Sequence, residues 1–311
     1  MVLFSPRHTP RHGLRALPAA LAIAGALGIA IGIATGITMG ITGASAADAP
    51  GNVERGAYIL RLGGCNSCHT DTKKKGPMLA GGLALKTPYG TFYPPNITPD
   101  RETGIGGWST EDFIRAMTEG KLPDGEQLYP AFPYTSFTHM TRQDLIDLKA
   151  YLDTVPPVRF EAPENDLRFP YNLRIAVIAW RWLFFEPKPF KPDPAKSPVW
   201  NRGAYLVTGP GHCGECHSPR NFFGAVDQER ALAGTSAGPE GKPVPGIRPR
   251  PKRGIGGWTN KDVAYALKTG GKPDGDFLGG VMGEVIADST SHWTDADLEA
   301  VAEYLKSLPP R

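Results

Sequence analysis

Apolar residues fall three and four apart along two matching stretches of the chain. Leu145, Leu148, Tyr151 and Leu152 make one stripe; Leu298, Val301, Tyr304 and Leu305 make the other. That spacing lines side chains along one face of a helix. Each stripe follows a threonine with an acid or Gln in the next turn, so the pattern predicts helices over 141–152 and 294–305. A shorter stripe of Phe113, Ile114 and Met117 follows Ser109, and Thr259 opens the matching stretch; both residues are N-caps. Val53–Leu62 and Asn201–Thr208 read as two further short helices. Gly56 and Gly203 lie within them, where a first helix can cross the last at close range because no Cβ intervenes. No alternating strand pattern stands out. The expected fold class is all-α, with much loop.

The helices come in two sets because the chain repeats itself. Arg55-Gly56-Ala57-Tyr58 returns as Arg202-Gly203-Ala204-Tyr205 at an offset of 147. Gly104-Ile105-Gly106-Gly107-Trp108 returns as Gly254-Ile255-Gly256-Gly257-Trp258, and Pro123-Asp124-Gly125 as Pro273-Asp274-Gly275, both at 150. Tyr151-Leu152 matches Tyr304-Leu305 at 153, a drift that loop-length changes produce. Two homologous domains follow, 51–157 and 198–311, joined by a Pro-rich linker over 158–197. Within the linker runs an apolar stretch, Arg174 to Phe185. It is too short, and too interrupted by Arg181, to cross a bilayer. Two readings stand for it: a linker helix packed across both domains, or a docking surface for a partner subunit or the membrane interface.

Charge and composition narrow the class. The chain has 34 basic and 31 acidic residues, and the whole excess lies in Arg7, Arg11 and Arg15. The remainder is neutral and lacks the basic footprint that a phosphate backbone requires, so no nucleic-acid partner is expected. Gly 38 and Pro 31 are high for 311 residues, but without period or low-complexity tract they indicate loops. From Ala16 to Ala47 no charge appears, and Ala44-Ser45-Ala46 offers a small-residue cleavage site. Residues 1–46 therefore read as an export signal, which places the folded part in the periplasm. Residues 16–47 are also long enough for an uncleaved anchor, and Gly28, Gly32, Gly36 and Gly40 recur at the spacing of packed membrane helices.

All four cysteines sit in two copies of one motif, Cys65-Asn66-Ser67-Cys68-His69 and Cys213-Gly214-Glu215-Cys216-His217. Each is C-x-x-C-H, the attachment signature of c-type haem. Two thiols must reach the two vinyl groups of a porphyrin, and the next residue must bring an imidazole to the iron. A zinc site does not require His after each pair, a thioredoxin-like site needs only one pair, and two disulfides leave both histidines unexplained. The reading is two covalently bound haems c, held by Cys65 and Cys68 and by Cys213 and Cys216, with His69 and His217 as proximal ligands.

The sixth ligand decides the chemistry: Met favours electron transfer, whereas an open position binds small molecules. Past Cys216 the one methionine is Met282, assigned to the second iron in a loop before the terminal helix. For the first iron the candidates are Met78, Met117 and Met140. Met78 lies only nine residues past His69, and Met117 matches the apolar Leu267 and reads as core, which leaves Met140. Met282, however, matches Phe132 at an offset of 150, so the two distal loops differ and His139 is a rival ligand. His212 lies too close to the proximal side, and His292 reads as surface. Trp108 and Trp258 are expected beside the haems.

With the paired motifs, Tyr129-Pro130-Ala131-Phe132-Pro133-Tyr134, Trp200-Asn201-Arg202-Gly203-Ala204-Tyr205-Leu206-Val207 and His217-Ser218-Pro219-Arg220-Asn221, the chain resembles the multihaem cytochrome c subunits of periplasmic dehydrogenases. These subunits serve alcohol, gluconate, sorbitol or aldehyde dehydrogenases. The resemblance implies two tandem class I-like cytochrome c domains with His/Met haems, and an electron carrier rather than an enzyme. It implies a dehydrogenase catalytic subunit as donor and a downstream cytochrome, quinone or oxidase as acceptor. Many members carry three haem motifs and a carboxy-terminal membrane tail; here there are two motifs and no such tail is read. The alternative class is a dihaem enzyme, such as a peroxidase or a thiosulfate-oxidising cytochrome, which needs one open iron.

Overall fold

The computed structural model describes residues 48–251 and 253–310, and the signal and anchor readings of the amino terminus lie outside them. In chain order the first half holds α1 (Val53–Leu62), α2 (Cys65–His69), β1 (Leu85–Thr87), β2 (Gly90–Phe92), α3 (Thr110–Glu119), α4 (Tyr134–Phe137) and α5 (Arg142–Leu152). A connecting stretch holds β3 (Asp166–Leu167) and α6 (Arg174–Phe184). The second half holds α7 (Pro198–Thr208), α8 (Gly214–His217), β4 (Pro249–Arg250), β5 (Arg253–Gly254), α9 (Asn260–Thr269), α10 (Val281–Asp288) and α11 (Asp295–Ser307).

Short polar side chains start the helices by taking up backbone amides that have no partner in the first turn. Ser109 and Thr259 each close a capping box, with Asp112 and Asp262 as the reciprocal acids. Thr141 and Thr294 accept from the Asp144 and Asp297 amides at the starts of α5 and α11. Helix α7 starts three residues before the expected Asn201, because Ser197 caps it and Pro198 occupies its first turn.

The described chain is mostly helical, as expected, with a few very short strands added. β1 and β2 pair antiparallel, with Leu85 opposite Phe92, and β2 takes β3 on its other edge, with Gly90 opposite Leu167. β4 and β5 form a second small ladder. Strands of two or three residues are too short for a period-two pattern to show. β3 also ties the start of the expected linker to the first half. Asn96 reinforces this by donating to the Val158 carbonyl at 2.6 Å, as does the Val158 amide by donating to Thr98 Oγ1 at 3.1 Å.

Two helix crossings organise the packing, α1 on α5 and α7 on α11. A Cβ on Gly56 would stand 1.9 Å from the Asp147 carbonyl oxygen, and one on Gly203 would stand 1.9 Å from that of Ala300. The backbones touch at both places. Each crossing feeds its own core. One gathers Ile59, Leu60, Phe113, Met117, Met140, Leu145 and Leu148; the other gathers Leu206, Val263, Trp293, Leu298, Val301 and Leu305.

The repeated Arg-Gly-Ala-Tyr acts both within and across the halves. Arg55 Nη1 donates to Asp147 at 2.8 Å and its Nη2 to Asp144, both on its own α5. Arg202 makes a two-pronged pair with Asp297 on its own α11, at 2.8 and 2.7 Å. The tyrosines reach the other way. Tyr58 donates to Asp297 at 2.7 Å and accepts from the Thr294 amide, while Tyr205 donates to Asp144 and accepts from the Thr141 amide. Asp144 and Asp297 therefore each take an arginine from their own half and a tyrosine from the other.

Candidate functional site

Each Cys-His motif is delivered by a helix that stops abruptly. α1 ends at Gly63, Gly64 turns left-handed at φ 58°, and α2 begins at Cys65. In the second half the His217 amide donates to the Cys213 carbonyl at 3.0 Å. Cys and His of each motif are thus one helical turn apart, with the second Cys between them. No disulfide joins any of the four cysteines. Burial pushes Cys65 and Cys213 up to about 12 and Cys68 up to about 11, so they stay protonated near neutrality. Cys216 also shifts up, chiefly through burial. Among the described residues no group of three His, Cys, Asp or Glu side chains is arranged around a point, as a structural zinc site requires.

The histidines are held in one orientation. His69 Nδ1 lies 2.7 Å from the Pro95 carbonyl oxygen and His217 Nδ1 lies 2.8 Å from that of Pro245. A carbonyl only accepts, so Nδ1 carries the proton and Nε2 keeps its lone pair. Burial holds both imidazoles below their ordinary titration range against the opposing pull of those carbonyls, and neutral rings result. A fixed tautomer, a free Nε2 and two thiols one turn away form a donor set that fits haem c. Sequence reasoning missed Pro95 and Pro245. Their offset of 150, that of the Gly-Trp repeat, was the available signal.

The two motifs meet at the junction of the halves, and each leans on the segment before the other half's last helix. Ser67 donates to Asp288 of α10 at 3.1 Å, and Ser289 donates to the Arg61 carbonyl at 2.6 Å. Glu215 in turn accepts from Thr135 and Ser136 of α4, at 2.8 and 2.9 Å. Cys68 lies near enough to Cys216 for a charge on the latter to raise it further.

A cytochrome c family model matches residues 53–156. The chain is 43% identical over 267 residues to a dihaem cytochrome c-type protein of Cereibacter sphaeroides, covering 88% of that protein and 85% of its own length. It belongs to the cytochrome c family. It is also 44% identical to the cytochrome c subunit of a quinone-dependent alcohol dehydrogenase from Gluconacetobacter polyoxogenes, over 83% of its own length and 56% of that protein's. With the gluconate 2-dehydrogenase cytochrome c subunit of Pantoea cypripedii it shares 39% identity, over 85% of its own length and 62% of that subunit's. The chain thus spans little more than half the length of the first of these dehydrogenase subunits.

As a member of that family, this cytochrome binds haem c covalently. At the methionine positions the halves differ. Met282, expected in a loop, lies in the first turn of α10 and is half-buried. Its repeat position, Phe132, is half-buried against the first core. Met140 is 4% exposed and immediately precedes the cap of α5, the place that Trp293 fills before the cap of α11. Met117 is core, as expected, and Met78 is 47% exposed. Trp108 and Trp258 pack against the first and second cores. His292 Nε2 lies 3.1 Å from the Ala287 carbonyl oxygen, and His212 Nε2 lies 3.3 Å from that of Gly63, with its ring 5.6 Å from that of Phe137.

Proposed function

We propose that this cytochrome carries two haems c and relays electrons in the periplasm from a dehydrogenase catalytic subunit to the respiratory chain, through a downstream cytochrome, quinone or oxidase. The domains are residues 51–157 and 198–311, with 158–197 between them. Cys65 and Cys68 bind the first haem and Cys213 and Cys216 the second. His69 and His217 are the proximal ligands, and Met140 and Met282 are the sixth ligands. The observation that carries the reading is the reciprocal seating of the two motif helices, each bonded to the segment before the other half's last helix. This brings the second thiol of each motif close to its counterpart, and such proximity suits transfer between two irons.

The bound group supplies a one-electron couple; the protein supplies burial, ligands and fixed geometry. Pro95 and Pro245 hold the imidazoles so that no ring need rotate when the charge on the iron changes. The matched subunits of alcohol, fructose and gluconate dehydrogenases support a carrier, and none of the relatives is named as a peroxidase. The test is iron and alkaline-pyridine haem analysis of protein from a maturation-competent host, followed by titration with a reduced dehydrogenase. Two haems per chain, both reduced and both reoxidised by the membrane fraction, are expected. One haem per chain, or a haem that turns over peroxide, overturns the proposal.

A further inference from the structure

The outward side of α6 is apolar. Ile175, Ile178 and Trp182 lie three and four apart on one face, with exposures of 68%, 52% and 86%. The opposite side anchors the helix to both halves. Arg174 pairs with Glu126 and lies 4.8 Å over the Tyr129 ring. Arg181 donates to the Glu119 carbonyl, and Trp180 Nε1 donates to the Phe223 carbonyl at 2.9 Å. The helix is therefore fixed with its apolar face to solvent, the reverse of an ordinary surface helix. Aromatic residues of a second segment extend the patch: the rings of Phe184 and Phe223 lie 5.7 Å apart, and Phe222, 86% exposed, lies beside Phe223. Phe169, 78% exposed, stands just before the helix. An apolar patch of this kind marks a docking surface.

Charge identifies the occupant. From Arg168 to Lys191 the chain has five basic residues and one acid, Glu186, whereas the rest of residues 47–311 carries 26 basic against 30 acidic. Arg168, Lys188 and Lys191, which flank α6 along the chain, are exposed. Protruding aromatics flanked by basic residues are the composition that lies in the boundary of an anionic bilayer. We propose that α6, with Phe169 and Phe222, docks this cytochrome onto an anionic lipid surface, the helix lying in the membrane plane.

The test is hydrogen–deuterium exchange of the full, haem-loaded chain with and without vesicles of phosphatidylglycerol and phosphatidylethanolamine. Peptides covering 169–184 and 221–224 should gain protection with these vesicles, and lose it with phosphatidylcholine or in high salt. A chain carrying Ile178→Glu and Trp182→Glu, its haem spectrum unchanged, should show none and should partition onto the vesicles at least ~10-fold more weakly. Unchanged exchange in the wild-type segments overturns the proposal. So does protection by the catalytic subunit alone, or a solution dimer that the double substitution disperses.

Discussion

At the scale of single residues, the repeat tests the ligand set more sharply than sequence distance does. Met282 and Met140 are both thioethers before a terminal helix, yet their counterparts are Phe132 and Trp293. Replacing Met282 by Ala should remove about half of the near-infrared thioether–iron band of the ferric protein and lower one of the two potentials. Met140→Ala should remove the other half; an intact band there would make Met140 a core residue like Trp293. Asp297 gives a pH prediction. Burial pushes its carboxyl up, but the bonds from Arg202 and Tyr58 outweigh this and hold it below its ordinary 3.8. A carboxyl held low by the fold stabilises it above the ordinary value and loses that contribution as pH falls through the lowered one. Unfolding free energy should therefore drop below about pH 4, and Asp297→Asn should flatten that limb, as denaturant titration at stepped pH would show. Pro95 and Pro245 show what single residues hide: a backbone carbonyl carries no sequence signature, so the partners of His69 and His217 emerged only from the fold.

At the scale of elements, the cap residues and apolar stripes made α5 and α11 legible to within a residue or two, and the starts of α3 and α9 legible from Ser109 and Thr259. The motif helices were legible from cysteine spacing alone. β1 to β5 were not, for want of length, and α10 was missed because Gly279 and Gly280 before it read as loop. The glycine prediction held in detail, because a residue lacking Cβ inside an amphipathic helix has few other uses. Gly56→Ala and Gly203→Ala should each force two helices apart and destabilise by at least ~1–3 kcal/mol, read as a shift of the denaturant midpoint. The same substitution at Gly125 or Gly275, where a Cβ meets nothing within 4 Å, should cost only the strain of a positive φ.

At the scale of the whole molecule, the repeat revealed two halves but not how they are joined. Tyr58 and Tyr205 lie two residues after the crossing glycines, and nothing in the sequence marks them as cross-half contacts. Yet they exchange partners. Tyr205→Phe leaves the Asp144 and Arg55 pair in place and removes both bonds of its hydroxyl across the junction, so it should cost about 1–3 kcal/mol. Tyr58→Phe should cost a similar amount, since matching bonds are made in the opposite direction.

A surface on which one copy's tyrosine meets the other copy's aspartate, in both directions, is what two identical subunits form about a twofold axis. At this junction the single polypeptide pairs its two repeats in the way two protomers tethered end to end would pair. Cutting the tether near Asp193 should leave fragments that stay associated through gel filtration, and Tyr58→Phe with Tyr205→Phe should separate them.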